Sequence, residues 1–283
     1  MRVTPLARRL GSAALVLTLG AGLAACSDDS SSSSATDTGA EATEESPDDA
    51  TEETTEEPAE ASLAELSAED FYPTVMGALQ EAETFAFETT SDTAGQAQSM
   101  SGKARFSEGG IEMQATGSGA QAMEVILVGQ AMYMKAPDLG MGDKWLKIDL
   151  SDPDSLFGMI GKATDPEVMF KALEAPKKLE LLGSEEVDGV ETNHYRITMD
   201  PTRYLEAMEF PPAMADMLPK ELVTEMWVDA DNLPRKFAQT TEIKGMGGGA
   251  PTTSTSEGTY SDFGTEVEIV EPPASEVTEQ PGL

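Results

Sequence analysis

The hydrophobic pattern changes period along the chain, and the changes divide it into elements. Over 68–82, Phe71, Val75, Ala78, Leu79 and Ala82 recur at three- and four-residue steps. That spacing predicts a helix, with Ser67 placed to cap its start. The period then falls to two. Phe85 and Phe87 alternate with smaller or polar residues over 84–90. Runs at 102–107 and 111–116 flank Glu108-Gly109-Gly110, and runs at 123–128 and 131–135 flank Gly129-Gln130. Both read as hairpins, the second with Gly at the first position of a type II′ turn. Residues 144–150 alternate through Trp145, Leu146 and Ile148, so one face should be covered and the other wet.

A helical interlude follows. Asp165-Pro166-Glu167 is a start signal, Val168, Met169, Ala172 and Leu173 form an apolar stripe, and Pro176 ends it. Strands resume at 178–187 and 190–199, joined through the hairpin dipeptide Asp188-Gly189. Asp200-Pro201 opens another helix, with Tyr204, Leu205 and Met208 on one face, and the Pro- and Met-rich stretch 210–219 reads as a loop. Further strands are expected at 222–229, 235–243 and 254–262. The inventory is about eleven strands, mainly antiparallel, and a sheet that long needs closure, coiling or a cover. The helices at 68–82, 155–175 and 201–209 are the available cover. The expected fold is mainly β (α+β): a strongly curved antiparallel half-barrel with helices over its concave face.

The alternation also picks out an inner wall. Phe85, Phe87, Met113, Met123, Val125, Leu127, Met132, Met134, Leu146, Ile148 and Met226 fall on predicted inner faces. Every second side chain of a strand shares a face, so these should form a contiguous apolar surface and the candidate ligand cavity. Of 16 methionines, all but the first lie beyond residue 70. Thioethers fill irregular space and adapt to flexible apolar ligands. Ordinary core packing explains any one of them; together they favour an adaptable cavity. Cu(I) binding at Met132-x-Met134 or Met214-x-x-Met217 lacks a companion Cys or His cluster.

The N-terminal region has no such periodicity. Arg2, Arg8 and Arg9 precede an uncharged stretch over 10–25 that ends Leu23-Ala24-Ala25-Cys26, and Cys26 is the only cysteine. That order is the layout of a secretory signal, and the stretch is too short and too rich in Gly and Ala to span a bilayer comfortably. A cysteine directly after the small residues resembles the lipobox of bacterial lipoproteins. The resemblance implies a signal peptide over 1–25, a lipidated Cys26, and attachment to the cell membrane on its extracytoplasmic face. Two acyl chains give stable anchoring where one is marginal.

Residues 26–67 are Ser, Thr, Ala, Asp, Glu and Pro with almost no large apolar side chain. Such a segment buries too little to offset its ordering entropy and is expected to be a disordered tether with a span of roughly 35 Å. The chain carries a net charge of −34. That balance argues against nucleic acid, whose phosphates are held by Lys and Arg, and against adhesion to anionic lipid headgroups. A globular domain over 68–274 and a disordered tail over 275–283 complete the expected organisation.

Several stretches of the body carry a family resemblance. Met132-Tyr133-Met134-Lys135-Ala136-Pro137 leads into Lys144-Trp145-Leu146-Lys147-Ile148. Asp188-Gly189-Val190 leads into His194-Tyr195-Arg196-Ile197 and Asp200-Pro201. Met226-Trp227-Val228-Asp229, Leu233-Pro234-Arg235-Lys236 and Tyr260-Ser261-Asp262-Phe263-Gly264 follow. In order and spacing the chain resembles the actinobacterial LppX/LprG lipoproteins and, more distantly, the LolA carriers. The resemblance implies a half-barrel of antiparallel strands with helices in its concavity, and acyl chains of lipids or lipoproteins held between them. This body departs from that pattern in being more acidic and richer in Met.

Catalysis finds little support in the residues. His194 is the only histidine and lies in a predicted strand, where it reads as a surface or half-buried residue. No Ser stands in a Gly-x-Ser-x-Gly setting, and Gly245-Met246-Gly247-Gly248-Gly249 is not followed by the Lys-Ser/Thr of a phosphate loop. The sequence points to no enzyme, no cofactor and no metal. It points to an anchored extracytoplasmic lipoprotein that binds a hydrophobic lipid ligand as carrier or sensor. The alternative is an anchored interaction module with a filled core, whose partner is another envelope protein.

Overall fold

The first helix does not start on Ser67 as expected: its N-cap is Asp70, with no side-chain cap hydrogen bond, and one turn earlier lies Ser67. Its hydroxyl accepts the Asp70 N–H at 3.2 Å and donates to the Asp70 carboxylate at 2.6 Å. Helix α1 then runs Phe71–Ala82 and buries Phe71, Tyr72, Val75, Met76 and Leu79 along one stripe. The structure is a computed structural model that describes residues 63–107, 110–119, 122–137, 140–151, 176–207, 219–243 and 251–279. The expected helix at 155–175, the 210–218 loop, Met208, the glycine run at 245–249, the signal segment and Cys26 lie outside the described residues.

Strands follow α1 in the order the alternation predicts. They are β1 (Thr84–Thr93), β2 (Gln96–Ser107), β3 (Gly110–Gly119), β4 (Met123–Val128), β5 (Ala131–Lys135), β6 (Trp145–Asp149), β7 (Lys178–Val187) and β8 (Val190–Met199). After helix α2 (Pro201–Ala207) come β9 (Leu222–Asp229), β10 (Pro234–Ile243) and β11 (Thr252–Ser261). A short 3₁₀ turn at Ala274–Glu276 leads into β12 (Val277–Glu279), within the stretch expected to be a disordered tail. Two hairpin turns match their residue types. Asp188 and Gly189 both have positive φ (50° and 83°), as a type I′ turn requires. Gly129 has φ 58°, the first-position requirement of type II′.

The twelve strands of the described residues form one sheet, in the order β12-β6-β5-β4-β3-β2-β1-β11-β10-β9-β8-β7. This corrects the expected strongly curved antiparallel half-barrel. The sheet is mixed, because β12 pairs parallel with β6. It is also open, because the order runs from one edge at β12 to the other at β7 and the two edges do not pair. The expected curvature rested on the need to cover a long apolar face, and two other devices supply that cover. On one face, α1 lies across the middle: Phe71, Tyr72 and Val75 pack with Tyr195, Ile197 and Val228, while Met76 and Leu79 pack with Phe85, Phe87, Ala104 and Ala115. On the other face, Val267, Ile269 and Val277 of the C-terminal segment cover Ile126, Ala131, Tyr133 and Trp145. The β4–β6 end is therefore sandwiched, with buried residues on both sides.

The chain enters the body on the α1 side. The Leu66 N–H donates to the Tyr195 hydroxyl at 3.0 Å, and the Asn193 amide donates to the Ala64 carbonyl at 3.1 Å. The residues joining the acidic segment to α1 are thus fixed to β8.

Candidate functional site: an apolar sheet face and a charged cluster behind it

Strand register places the candidate wall residues. Residues directly opposite one another in neighbouring strands share a face. One line of partners crosses six strands as Phe85, Ala104, Met113, Leu127, Met132 and Ile148. The next runs Tyr260, Phe87, Gly102, Ala115, Val125, Met134 and Leu146. A third runs Tyr195, Met226, Phe237, Gly258, Thr89, Met100, Gly117 and Met123. All the expected wall residues therefore lie on one face, the face that α1 covers in part.

They do not share one cluster. Phe85 and Phe87 pack under Met76 and Leu79, and Met226 packs against the group around Phe71 and Tyr195. The remainder form a separate cluster, in which Val125, Leu127, Met132, Leu146, Ile148 and Leu150 are buried. Met113, Met123, Met134 and Met141 pack around them; no α1 residue belongs to this cluster, though Met113 also packs against the group that holds Met76 and Leu79. Val125, Leu127, Met132, Leu146 and Ile148 are only 5–9% exposed, whereas Met113, Met123 and Met134 are half-buried.

Sequence reading missed the small residues of the wall. A Cβ at Gly102 would run into the Gln114 carbonyl and the Phe87 ring, and one at Gly258 would run into the Phe237 ring. Each ring thus lies over a glycine of the neighbouring strand. The available signal was a glycine inside an alternating run, which marks a close approach.

The opposite face carries charge. His194 is 9% exposed and stacks on Trp227, with ring centroids 4.0 Å apart and planes 14° from parallel. Its Nδ1 lies 3.2 Å from Glu185 Oε1 on β7, and its Nε2 lies 3.2 Å from Glu225 Oε2 on β9. The second oxygen of each carboxylate is also engaged. Glu185 Oε2 accepts the Trp227 indole N–H at 3.0 Å. Glu225 Oε1 accepts Arg196 Nε–H at 3.1 Å and Nη2–H at 2.7 Å. Both carboxyls are held below their ordinary value of 4.5, Glu185 chiefly by the Trp227 N–H and Glu225 chiefly by Arg196. Lys236 Nζ lies 4.8 Å from the Trp227 ring centroid. Beside this cluster is a groove of about 270 Å³ lined by Glu185, Trp227, Lys236, Glu257 and Thr259. His194, expected as a surface or half-buried residue, is thus the buried centre of an ionic group. Its partners come from the two strands that flank its own, and only the order β7-β8-β9 brings them together.

Among the described residues no group of three or more His, Cys, Asp or Glu is arranged to hold a metal ion. Met132 and Met134 belong to the apolar wall. No described helix is long and apolar enough to cross a membrane.

No protein-family model and no curated protein matches the chain. Among solved structures, LprF from Mycobacterium bovis aligns at 13% identity with a TM-score of 0.48, over 72% of this chain and 96% of that one. The lipoprotein LppX of Mycobacterium tuberculosis aligns at 13% identity with a TM-score of 0.46, over 72% of this chain and 98% of that one. The MucA/MucB complex of Pseudomonas aeruginosa aligns at 14% identity with a TM-score of 0.34, over 68% and 55%. The likeness to these structures is one of fold.

Proposed function

We propose that the protein is a membrane-anchored extracytoplasmic lipoprotein that binds hydrophobic ligands on the β3–β6 part of its apolar face. The ligands are acyl chains of lipids or lipoproteins, and the protein acts as carrier or sensor without catalysis. One observation carries this reading. Met123, Met134 and Met141 pack around the buried Val125, Leu127, Met132, Leu146 and Ile148 in a cluster that includes no α1 residue, and Met113 joins it to the cluster under α1. Unbranched thioethers can re-pack around a flexible chain at little cost. Each methylene transferred from water contributes about 0.8 kcal/mol, so affinity would follow chain length and cavity shape. The motif ending at Cys26 supports the anchor, and the acidic stretch up to residue 62 supports a spacer between anchor and body.

A second reading rests on the burial of the same residues. Val125, Leu127, Met132, Leu146 and Ile148 are covered, at 5–9% exposure, and the groove beside Trp227 is on the other face. On that reading the core is filled and the protein is an anchored interaction module of the envelope. Trp introduced singly at Val125, Leu127 and Met134 separates the two. A carrier should tolerate at least one substitution with modest loss of melting temperature and lose uptake of a fluorescent fatty acid. A filled core should unfold in every case, because overpacking strains neighbours that have nowhere to move. No uptake by the wild type would also favour the interaction module.

A further inference from the structure

We propose that His194 is a proton-dependent clamp that fastens the edge strand β7 to β9 across β8. The argument is one of donors and acceptors. Neutral imidazole has one N–H and one bare nitrogen; imidazolium has two N–H groups. Each ring nitrogen of His194 faces a carboxylate oxygen at 3.2 Å, Glu185 from β7 and Glu225 from β9. The remaining oxygen of Glu185 accepts an indole N–H and that of Glu225 accepts a guanidinium, interactions that favour the ionised carboxylates. Two acceptors therefore confront the ring from opposite sides. Only the doubly protonated imidazole can donate to both. Once it loses a proton, one nitrogen lone pair faces a carboxylate oxygen in a site that is 9% exposed.

The surrounding charges leave this logic intact. Arg196 on β8 is committed to Glu225. Lys236 on β10 lies against the Trp227 ring and acts on Glu185. Glu257 on β11 lines the adjacent groove. The position matters because β7 is the last strand of the sheet among the described residues, and its only strand ladder there is with β8. On the other face of β8, the residues flanking His194 are Asn193 and Tyr195, which hold Ala64 and Leu66 of the entering chain. The proton on His194 thus governs the end of the sheet where the membrane-proximal segment is fixed.

The sign follows directly. The geometry sets the direction: Glu185 and Glu225 both receive a hydrogen bond from the ring only while its two nitrogens carry protons. Glu185 and Glu225, both depressed, act at the other end: their contribution is present above the ordinary 4.5 and is lost as pH falls through their lower folded values. The two limbs are separable because they lie on opposite sides of the stable range.

The test uses the full chain in detergent without an added histidine tag, so the single histidine gives a single imidazole signal. Between pH 5.5 and 8.5 the wild-type melting temperature should fall by about 2–4 °C more than that of Glu185→Gln. A Gln at 185 can accept from Trp227 with its oxygen and donate to Nδ1 with its amide, so it suits the neutral ring. His194→Gln should likewise lack the alkaline fall. If Glu185→Gln does not fold, nitrogen chemical shifts of the wild-type imidazole decide the matter. Two protonated nitrogens at pH 5.5, and increased amide exchange in β7 when that signal titrates, are the expected result. A neutral ring at pH 5.5, or equal alkaline slopes in wild type and both variants, would overturn the clamp.

Discussion

Replacing Phe71 with Ala should destabilise the protein by about 3–5 kcal/mol, the range for deleting a large buried aromatic. That is a large fraction of the roughly 5–15 kcal/mol that holds an ordinary domain folded. Phe71 has no exposed surface, and its ring meets Tyr72 edge-on at 5.2 Å and Tyr195 at 5.1 Å. Ile197 and Val228 complete its surroundings, so the cavity would open where α1 meets β8 and β9. The backbone there is pinned by hydrogen bonds and cannot collapse freely into the space: Phe71 N–H donates to the Ser67 carbonyl at 3.0 Å, and Leu66 is tied to Tyr195. Chemical denaturation of Phe71→Ala beside the exposed control Glu69→Ala checks this. The control should shift by no more than about 0.5 kcal/mol. Equal midpoints for the two variants would mean that α1 does not pack on the sheet as described.

Replacing Cys26 with Ala should move the protein from the membrane fraction, where detergent is needed to release it, into the soluble fraction. The expectation rests on the order of basic residues, uncharged stretch, small residues and cysteine at the start of the chain. Each buried methylene of an acyl chain contributes about 0.8 kcal/mol to membrane attachment, so removing the acylated thiol should change partitioning by many orders of magnitude. The acidic stretch beyond Cys26 would not substitute for it, since carboxylates are repelled by an anionic leaflet. Fractionation at low and high salt reads the result. A Cys26→Ala protein that remains in the membrane at wild-type levels would contradict lipid anchoring.

Much of the sheet was legible because burial leaves a period in the sequence. β4, β5, β8 and β9 run over the stretches expected, and β7 ends at the Asp188-Gly189 turn. Faces were legible for the same reason: alternation alone put Met123, Val125 and Leu127 on the side where register finds them. Three features were not legible. The β1–β2 hairpin turns at Ala94-Gly95, where Ala94 takes φ 56° although it lacks the side chain that usually marks such turns. β2 consequently begins at Gln96, in a run of small and polar residues whose alternation is weak. β12 is three residues long and pairs parallel, so it has no periodic signature, and it makes the sheet mixed.

Curvature was not legible either. Apolar alternation states that a face is covered and is silent about what covers it. Here α1 and the segment carrying Val267 and Ile269 do so, and the sheet stays open. The charged cluster was hidden for a related reason. Glu185, His194, Glu225 and Trp227 are unremarkable singly; the Asp188-Gly189 hairpin puts β7 beside β8, but nothing local in the sequence puts β9 on the other side of β8. Strand order is a property of long-range pairing, which short-range pattern cannot convey.

Ligand binding on the β3–β6 face is tested most directly by isolating the protein under native conditions and weighing what comes with it. Native mass spectrometry keeps a non-covalent passenger, and denaturation before a second measurement leaves only the covalent modification of Cys26. A hydrophobic ligand should co-purify near one per chain and vanish on denaturation. It should be depleted in whichever Trp variant of Val125, Leu127 or Met134 remains folded. Protein that carries no passenger and takes up no added fatty acid would contradict the ligand-binding role and leave the filled-core interaction module in its place.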